Sequence, residues 1–279
     1  MKRAVAIAFI LIGIASLVYY FWDVFNYSIY RLSSPIPSLP FQPSVTPIQE
    51  NAARHEIEFQ NKTYEFFFHK IAAGETLDLI PNFQESTFSA QIVKNNNCSF
   101  GINAGFYKKE GGPLGLFFTE QKVYGEKILS TTFNGFFSLA AHPRESGDPG
   151  FGFSISSFPA DDSSQYKFIF QTGPLIFLKN EVQPNFIEED FSRRHLIAKS
   201  TNGDFFLFSI FEKGNVFNGP RLKDLREIFL VSEFTQISDF ELLLNLDGGS
   251  ASAFYDDGVQ VEEFKPIGSF LCGKNKLAK

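Results

Sequence analysis

The sequence predicts an α+β fold: a strand-rich mixed domain with two or three helices, preceded by one N-terminal transmembrane helix. An uncharged run follows Lys2 and Arg3 and spans residues 4–22, which is long enough for a membrane helix. After residue 55 the chain consists largely of short apolar runs broken by glycine, proline and asparagine, a pattern typical of strands. Phenylalanine occurs 36 times, against one methionine and one tryptophan, and aromatic side chains favour the half-buried surfaces of sheets.

The N-terminal run predicts a signal anchor, a transmembrane helix over residues 1–23. As a helix, the uncharged run would be about 28 Å long at ~1.5 Å per residue, close to the ~30 Å of hydrocarbon in a bilayer. Tyr19, Tyr20 and Trp22 fall where an interfacial aromatic belt would lie. A cleaved signal peptide is the alternative, but its apolar region usually has only ~7–15 residues. We therefore expect a single-pass membrane protein whose remaining residues are extracytoplasmic, in a periplasmic, extracellular or luminal compartment.

Residues 24–55 predict a proline-rich extracytoplasmic spacer, because five prolines and little apolar periodicity lie between residues 31 and 55. The folded domain is expected over residues 56–279. It begins with a hairpin over residues 55–71, whose turn is predicted at residues 60–62.

Two helices are predicted within the domain. The first covers residues 86–97, with Ser86 as its N-cap, and the second covers residues 221–234. The apolar face of the second helix consists of residues at helical spacing: Leu222, Leu225 and Phe229. An exposed loop is expected at residues 142–152. The remaining apolar runs predict strands within the segments 98–106, 113–118, 131–139, 166–178, 193–211, 240–247 and 266–272. The turn residues 202–204, Asn-Gly-Asp, divide the segment 193–211 into two runs and predict a hairpin.

Charge and composition exclude several classes of partner. The net charge is −6, and basic residues cluster only at the chain termini, so nucleic acid is not expected as a partner. The four histidines are scattered, without the spacing of a zinc site, and residues 256–258 form too short a turn for a calcium loop. We expect no metal and no cofactor. Cys98 and Cys272 lie in a compartment that permits disulfides, so they form either a disulfide or two buried thiols.

Two segments share one construction, in which an apolar strand delivers a polar side chain and glycine follows within two residues. The first ends in Asn103 and Gly105, and the second ends in Asp247, Gly248 and Gly249. Glycine lets a ligand approach the backbone closely, and consecutive N–H groups can form an anion-binding nest. Either segment alone is most simply a turn at the end of a strand. The two together predict a functional site.

The order of short motifs resembles the phosphodiester glycosidase family over about residues 60–272. The motifs are Asn103-Ala104-Gly105-Phe106, Gly112-Pro113-Leu114-Gly115, Gly173-Pro174, Arg193-Arg194 and Asn245-Leu246-Asp247-Gly248-Gly249. Two features depart from the family pattern. Ser250 stands where family members often have a third glycine, and a histidine, His195, with bulky neighbours follows the arginines.

The resemblance implies that a sugar-1-phosphodiester is hydrolysed. Glycoside cleavage normally uses two carboxylates, of which the sequence identifies only Asp247, but a phosphate leaving group needs little protonation. Asp247 would act as the base for water or stabilise an oxocarbenium-like centre. Arg194, rather than Arg193, would contact the departing phosphate, and Asn103 would hold a sugar hydroxyl or the phosphate. The substrate-binding set is expected to be Gly105, Arg193, Asn245, Gly248, Gly249 and Ser250.

Some of these residue types also have simpler structural explanations. The two arginines could form a solvated ion-pair cluster with the acidic residues 188–190, and His195 precedes an apolar run, as a structural histidine would.

The function that we predict is a membrane-anchored extracytoplasmic glycosidase that hydrolyses a sugar-1-phosphodiester linkage in a glycan or cell-envelope polymer. The alternatives are a non-catalytic module that binds anionic glycans on the same scaffold and a hydrolase that cuts another glycan linkage.

Overall fold

The computed structural model describes residues 54–141, 152–159, 162–179 and 190–275. All of them belong to one compact unit, Pro43–Lys279. They form three antiparallel sheets with three short α-helices, which confirms the predicted strand-rich α+β fold. The predicted anchor, nearly all of the spacer and almost the whole 142–152 loop lie outside the described residues. Within those residues, no helix has the length and apolar character needed to cross a membrane.

The first sheet has six strands in the order β1-β2-β12-β11-β13-β10. The strands are β1 His55–Phe59, β2 Lys62–Lys70, β10 Leu175–Phe177, β11 Arg194–Ser200, β12 Phe205–Glu212 and β13 Phe240–Asn245. The predicted first hairpin is confirmed: Gln60 and Asn61, between β1 and β2, both have positive φ, at 49° and 62°. Such a turn follows the right-handed twist of the two strands. The turn with Gly203 joins β11 to β12, also as predicted.

The second sheet has the order β15-β14-β4-β16-β3. The strands are β3 Thr76–Pro81, β4 Phe100–Asn103, β14 Phe254–Asp256, β15 Val259–Val261 and β16 Ser269–Lys274. Strand β3 was not predicted. Cys98, just ahead of β4, forms a disulfide with Cys272 of β16, so the sequence alternative of two thiols is wrong.

The third sheet has the order β6-β5-β9-β7-β8. The strands are β5 Phe117–Thr119, β6 Lys122–Gly125, β7 Gly135–Ala140, β8 Phe153–Ser156 and β9 Tyr166–Thr172. The apolar runs at 113–118, 131–139 and 166–178 therefore contain strands, as predicted. The less apolar strands β6 and β8 were not anticipated.

The first helix, α1 (Ser89–Asn96), is shorter than predicted and has a different cap. Ser86 is not the N-cap: it has a φ of 47° and its backbone N–H donates to the carbonyl of Asn82. The carboxylate of Glu263 instead accepts hydrogen bonds from the backbone N–H and the hydroxyl of Ser89. A distant residue therefore satisfies a helix N–H group that a local cap would otherwise satisfy.

The second predicted helix is interrupted. A 3-10 turn over residues 222–224 leads into α2 (Leu225–Ile228), and α3 (Ser232–Thr235) follows after Val231, which has an extended conformation. The predicted apolar face is nevertheless buried, because all three of its residues are at most 3% exposed: Leu222, Leu225 and Phe229.

The first sheet is buried on both faces, which is why its central strands are apolar at almost every position. On one face, Phe208 packs edge-on against Phe229, which stacks on Phe234 of α3 at a centroid distance of 4.2 Å. On the other face, Leu207 belongs to the core that the first sheet shares with the second and third sheets. Burying one such side chain contributes about 1.5–3 kcal/mol, so the phenylalanine-rich composition supplies the apolar surface that holds the layers together.

Candidate active site

The two polar strand ends singled out by sequence meet in space. The backbone N–H of Asp247 donates to the carbonyl of Ala104 at 3.1 Å. The side-chain Nδ2 of Asn103 donates to the carbonyl of Asp247 at 2.8 Å, across 144 residues of chain. These bonds join the end of β4 in the second sheet to the end of β13 in the first sheet. The structure therefore brings two of the three predicted catalytic residues into direct contact.

The Asp247 carboxyl group lies among protein atoms that exclude most of the surrounding water, although the residue keeps some exposed surface. It makes no ion pair with any described residue. Burial raises the pKa of Asp247 to about 8, and the backbone N–H of Gly248 opposes this rise only in part. The group is therefore mostly protonated at neutral pH, which is unusual for an aspartate.

Asn103 is 1% exposed, and its amide is engaged within the protein on both sides. Its Oδ1 accepts from the backbone N–H of Ala253 at 3.0 Å and faces Nδ1 of His195 at 2.5 Å. Its Nδ2 donates to Asp247, and more weakly to Ala104 at 3.4 Å. Asn103 therefore supports Asp247 in this structure, while its expected contact with substrate stays a prediction.

Arg193 is fully buried beside this cluster. Its Nε donates to Oγ of Ser252 at 2.8 Å, and its Nη2 donates to the carbonyls of Ser252 and of Glu262, the latter at 3.0 Å. Its Nη1 is buried without a hydrogen-bond partner among the described residues. Burial lowers the pKa of Arg193 to about 10, against the opposing charge of Glu263, so the guanidinium remains positive at neutral pH.

Arg194 is also buried, and its side chain is held by backbone carbonyls. Its Nε donates to Pro220 at 2.8 Å and its Nη2 to Asp190 at 2.6 Å. The pairing of β11 with β13 continues as far as a bond from Leu246 N–H to the carbonyl of His195 at 2.9 Å. The next pair in that register would be Asp247 and Arg194. Arg194 and Asp247 are therefore the two residues that would face each other if the pairing of β11 with β13 continued, but their side chains form no ion pair.

The glycines of the predicted binding set are explained by close contacts within the protein. A Cβ atom on Gly105 would lie 2.9 Å from the carbonyl of Gln171, and one on Gly248 would lie 2.6 Å from the carbonyl of Arg193. Gly249 has a φ of 65° and donates its N–H to the same Arg193 carbonyl at 2.9 Å. These glycines allow the strand ends to pack together, and their contact with a ligand stays a prediction.

The two polar residues that remain from the predicted binding set differ in their surroundings. The carbonyl of Ser250 accepts the N–H groups of Phe264 and Lys265 and so closes a loop. Asn245 is buried, with Nδ2 donating to the carbonyl of Gly173 at 3.0 Å. Its Oδ1 has no hydrogen-bond partner within the described part of the chain. Asn245 thus retains an unused acceptor close to Asp247 in sequence.

Three residues next to the site were not predicted as part of it. Ser252 holds Arg193, and Glu263 both caps α1 and acts electrostatically on Arg193. Burial raises the pKa of Tyr107 to about 12, with a further contribution from the charges of Asp247 and Glu263, and its hydroxyl donates to Pro266 at 2.6 Å. Tyr107 follows the first glycine motif, and Ser252 follows the second, so their positions in the sequence could have indicated that they lie near the site. Nothing in the sequence around Glu263 indicates that it lies there.

Neither a metal site nor a described cavity coincides with this cluster. In residues 54–141, 152–159, 162–179 and 190–275, no three His, Cys, Asp or Glu side chains are grouped so that they could hold a metal ion. A cavity of about 900 Å³ lies elsewhere, between β3 and the third sheet, and its lining includes Asp78, Lys167 and Lys274 but none of the predicted site residues.

The fold is an α+β domain with a buried carboxyl where a strand end of the first sheet meets one of the second sheet. The sequence model of the phosphodiester glycosidase family matches residues 96–272, and the chain belongs to that family. No curated protein sequence matches the chain.

Solved structures with similar folds include two that align with most of this chain. One is the zebrafish N-acetylglucosamine-1-phosphodiester alpha-N-acetylglucosaminidase catalytic domain, auto-inhibited by its pro-peptide. It has 14% identity and a TM-score of 0.56, with 82% of this chain and 84% of that chain covered. The other is a hypothetical protein from Synechocystis, with 13% identity, a TM-score of 0.51, and 79% of this chain and 61% of that chain covered. At these identities the likeness concerns the fold.

Proposed function

We propose that the protein is a membrane-anchored extracytoplasmic glycosidase that hydrolyses a sugar-1-phosphodiester linkage in a glycan or cell-envelope polymer. The observation that carries the proposal is the Asp247 carboxyl at the meeting point of the ends of β4 and β13, which forms no ion pair within the described residues and whose pKa is raised by burial to about 8. Family membership supports the class of reaction, and the name of the zebrafish relative supports a sugar-1-phosphodiester as substrate.

Asp247 is suited to act as a general acid at neutral pH. Its proton would pass to the bridging oxygen as the bond between that oxygen and the anomeric carbon breaks, and water would add to the anomeric carbon. The resulting carboxylate would then accept a proton from the added water, which restores the acid. The products are a free sugar and a phosphomonoester. Above its pKa, the same carboxylate would be limited to acting as a base or stabilising positive charge at the anomeric carbon.

An arginine would stabilise the phosphate as it departs. Negative charge develops on the bridging oxygen as its bond to the anomeric carbon breaks and before the proton has fully transferred, so a guanidinium contact with the phosphate strengthens in the transition state. Arg194 is the residue that would pair with Asp247 if the register of β11 and β13 continued. Arg193, in contrast, has a buried Nη1 without a hydrogen-bond partner in the described structure. The sequence favours Arg194, and the unused donor makes Arg193 an equal candidate.

The proposed location rests on the sequence. The uncharged run at residues 4–22 follows two positive residues, which favours a helix with its N-terminus in the cytoplasm. The disulfide between Cys98 and Cys272 supports an oxidising compartment for the domain.

The decisive experiment is a substrate screen with the full chain in detergent. A panel of sugar-1-phosphodiesters that differ in sugar and anomer is incubated with the protein and with Asp247→Asn, and both the free sugar and the phosphomonoester are measured. We expect equal amounts of the two products with at least one substrate, and at least ~10²-fold less with the variant. Binding without products would identify the alternative, a non-catalytic module that binds anionic glycans. Release of sugar from glycans that lack phosphate would identify a different glycosidase.

A further inference from the structure

We propose that His195 is a positioning residue for Asp247: it acts through Asn103 on the peptide group that joins Asp247 to Gly248. The inference rests on the proposed function for its effect on turnover, but the contacts that carry it are independent of substrate. His195 is the residue at which the sequence departs from the family pattern after the two arginines. Its ring nitrogens face Asn103 and Ser209, not Asp247.

The hydrogen bonds define the protonation state of the imidazole. Oδ1 of Asn103 can only accept, so Nδ1 of His195, 2.5 Å away, must carry a hydrogen. Burial, and then the positive charge of Arg193, lower the pKa of His195 well below its usual value, so the ring is neutral. Its Nε2 therefore lacks a hydrogen and accepts from the hydroxyl of Ser209 at 2.9 Å. Asn103 thus fixes the tautomer of the ring, and the Ser209 hydroxyl, which can donate or accept, satisfies Nε2.

The His195 hydrogen bond fixes the orientation of the Asn103 amide. With Oδ1 turned toward His195 and Ala253, Nδ2 must face the opposite side, where it donates to the carbonyl of Asp247 at 2.8 Å. A flipped amide would place two N–H groups against the donors of His195 and Ala253. Because both Asn103 and His195 are at most 1% exposed, water cannot readily replace a lost bond.

The held peptide group is the one that contacts the acid. The carbonyl of Asp247 and the N–H of Gly248 belong to one planar unit and point in opposite directions. Asn103 holds the carbonyl, and so it also fixes the direction of the Gly248 N–H, which acts to lower the pKa of the Asp247 carboxyl group. Rotation of this peptide would turn the Gly248 N–H away and move the Cα atom that carries the carboxyl group.

Few other charged groups act on this arrangement. Tyr107 is the titratable group whose pKa responds to Asp247, and it lies on the segment that follows β4. Arg193 acts on His195 from the segment that precedes β11, and Glu263 acts on Tyr107 and Arg193 from the segment after β15. A change at His195 that preserves these residues should alter Asp247 chiefly through Asn103.

Two substitutions separate the positioning role from general stability. In His195→Asn, the side-chain amide nitrogen can take the place of Nδ1 and donate to Asn103. In His195→Gln, the longer chain carries the amide to the region of Nε2, so the contact with Ser209 is kept and the donor to Asn103 is lost. Both variants place an uncharged amide in the same buried space. Phe234→Leu, in the core beside α3, serves as a control that lowers stability far from the site.

Turnover and the ionisation of Asp247 are measured in the full chain. We expect His195→Gln to lower kcat by about 10-fold to 100-fold with KM within about 2-fold, because the acid is displaced while binding is kept. His195→Asn should stay within about 3-fold of the parent protein, like Phe234→Leu. In ¹³C NMR titrations, with Asp247→Asn used for assignment, the Asp247 pKa should rise in His195→Gln alone by about half a unit, since the backbone N–H of Gly248, which lowers this pKa, is turned away.

The titration distinguishes failure of this inference from failure of the proposed function. If the parent protein hydrolyses no phosphodiester but the Asp247 pKa rises in His195→Gln alone, the proposed function is wrong and the positioning role holds. If both His195 variants leave kcat and the Asp247 pKa unchanged, or change them equally, the positioning role is refuted.

Discussion

Nδ1 of His69 lies 3.0 Å from a carboxylate oxygen of Asp256, a residue 187 positions further along the chain. His69 belongs to the first sheet and Asp256 to the second, so this contact joins two layers. On the other side of the ring, Nε2 lies 2.9 Å from Glu75. Both carboxylates can only accept when ionised, so both contacts are hydrogen bonds only when the imidazole carries a hydrogen on each nitrogen and is a cation. Burial lowers the pKa of His69, but the bonds to Asp256 and Glu75 outweigh it and raise the pKa overall.

His69 should therefore stabilise the folded protein at acidic pH. Because the folded-state pKa exceeds the unfolded value, this stabilisation is fully present below about pH 6.5 and is lost as the pH rises through the folded-state pKa. We expect His69→Gln to lower the unfolding free energy by about 1 kcal/mol more at pH 5.5 than at pH 9. Urea unfolding across this range measures the difference. His55→Gln is the matched control: burial lowers the pKa of His55, so the opposite trend is expected.

Replacement of Asp247 by asparagine should raise stability while it removes activity. The folded protein keeps a proton on Asp247 up to about pH 8, whereas the unfolded chain loses it near pH 4. Stability is thus lost progressively as the pH rises from about 4 to about 8. The asparagine in Asp247→Asn does not titrate, so the variant should not lose stability in this way. Its free energy of unfolding should exceed that of the parent by about 1 to 4 kcal/mol at pH 8 and should nearly equal it at pH 4. Equal stability at both pH values would mean that the carboxyl group is not desolvated.

The activity of the parent protein should fall at alkaline pH. If protonated Asp247 is the acid, kcat decreases above about pH 8, where the proton is lost. A rate that instead increases through pH 8 to a plateau would assign Asp247 the role of a base.

Substitution of the arginines should affect the rate constant more than substrate affinity. Arg193→Lys and Arg194→Lys keep the charge but lose the planar fork of donors, so the variant at the phosphate-binding position should lower kcat by about 10-fold or more. Turnover and affinity for one phosphodiester are measured for both variants. The neighbouring variant serves as the control. A weakened affinity with an unchanged rate constant in both would exclude a transition-state role for either arginine.

Loss of the disulfide should lower thermal stability substantially. Its ends are separated by 174 residues, so it restricts a long segment of the unfolded chain. We expect Cys98→Ala/Cys272→Ala to lose about 2–4 kcal/mol. At roughly 2–4 °C per kcal/mol, this corresponds to a decrease of roughly 4–16 °C in Tm. Thermal unfolding with and without reductant provides the measurement, and the reductant should have no effect on the double variant.

The N-terminal segment should keep the full-length protein in a membrane. We expect it to resist carbonate extraction, and a tag at the C-terminus should be accessible to protease from the extracytoplasmic side. N-terminal sequencing shows whether the segment is retained. Recovery of a soluble protein shortened at its N-terminus would indicate a cleaved signal peptide.

Features set by neighbouring residues were predictable from the sequence, whereas features set by distant residues were not. The turns at Asn61 and Gly203 need backbone conformations that these residues favour, so the local sequence identifies them. Ser86 has the chemistry of a helix cap, yet Glu263 satisfies the N–H group at the start of α1 from 174 residues away. No local pattern indicates that partner.

The same distinction holds for the candidate site. Asp247 and Asn103 were both selected because each follows an apolar strand and precedes glycine, and the structure joins them. The surroundings of Asn103, however, come from His195 and Ala253, 92 and 150 residues away. A residue whose amide is engaged on both sides by such contacts has the same local sequence as one that is free to bind substrate. The sequence therefore located the site, but it could not reveal that Asn103 supports Asp247.

The disulfide makes most of the domain a closed covalent ring. Cys98 and Cys272 nearly coincide with the limits of the family match, residues 96–272, so Asn103, Arg193 and Asp247 all lie within the ring. One proteolytic cut inside a ring opens it without releasing a fragment, and only a second cut separates the pieces. A domain nicked once would therefore migrate as an intact chain without reductant and as two fragments with it. In a compartment that contains proteases, this connectivity keeps the strands that build the site attached to each other after a first cleavage.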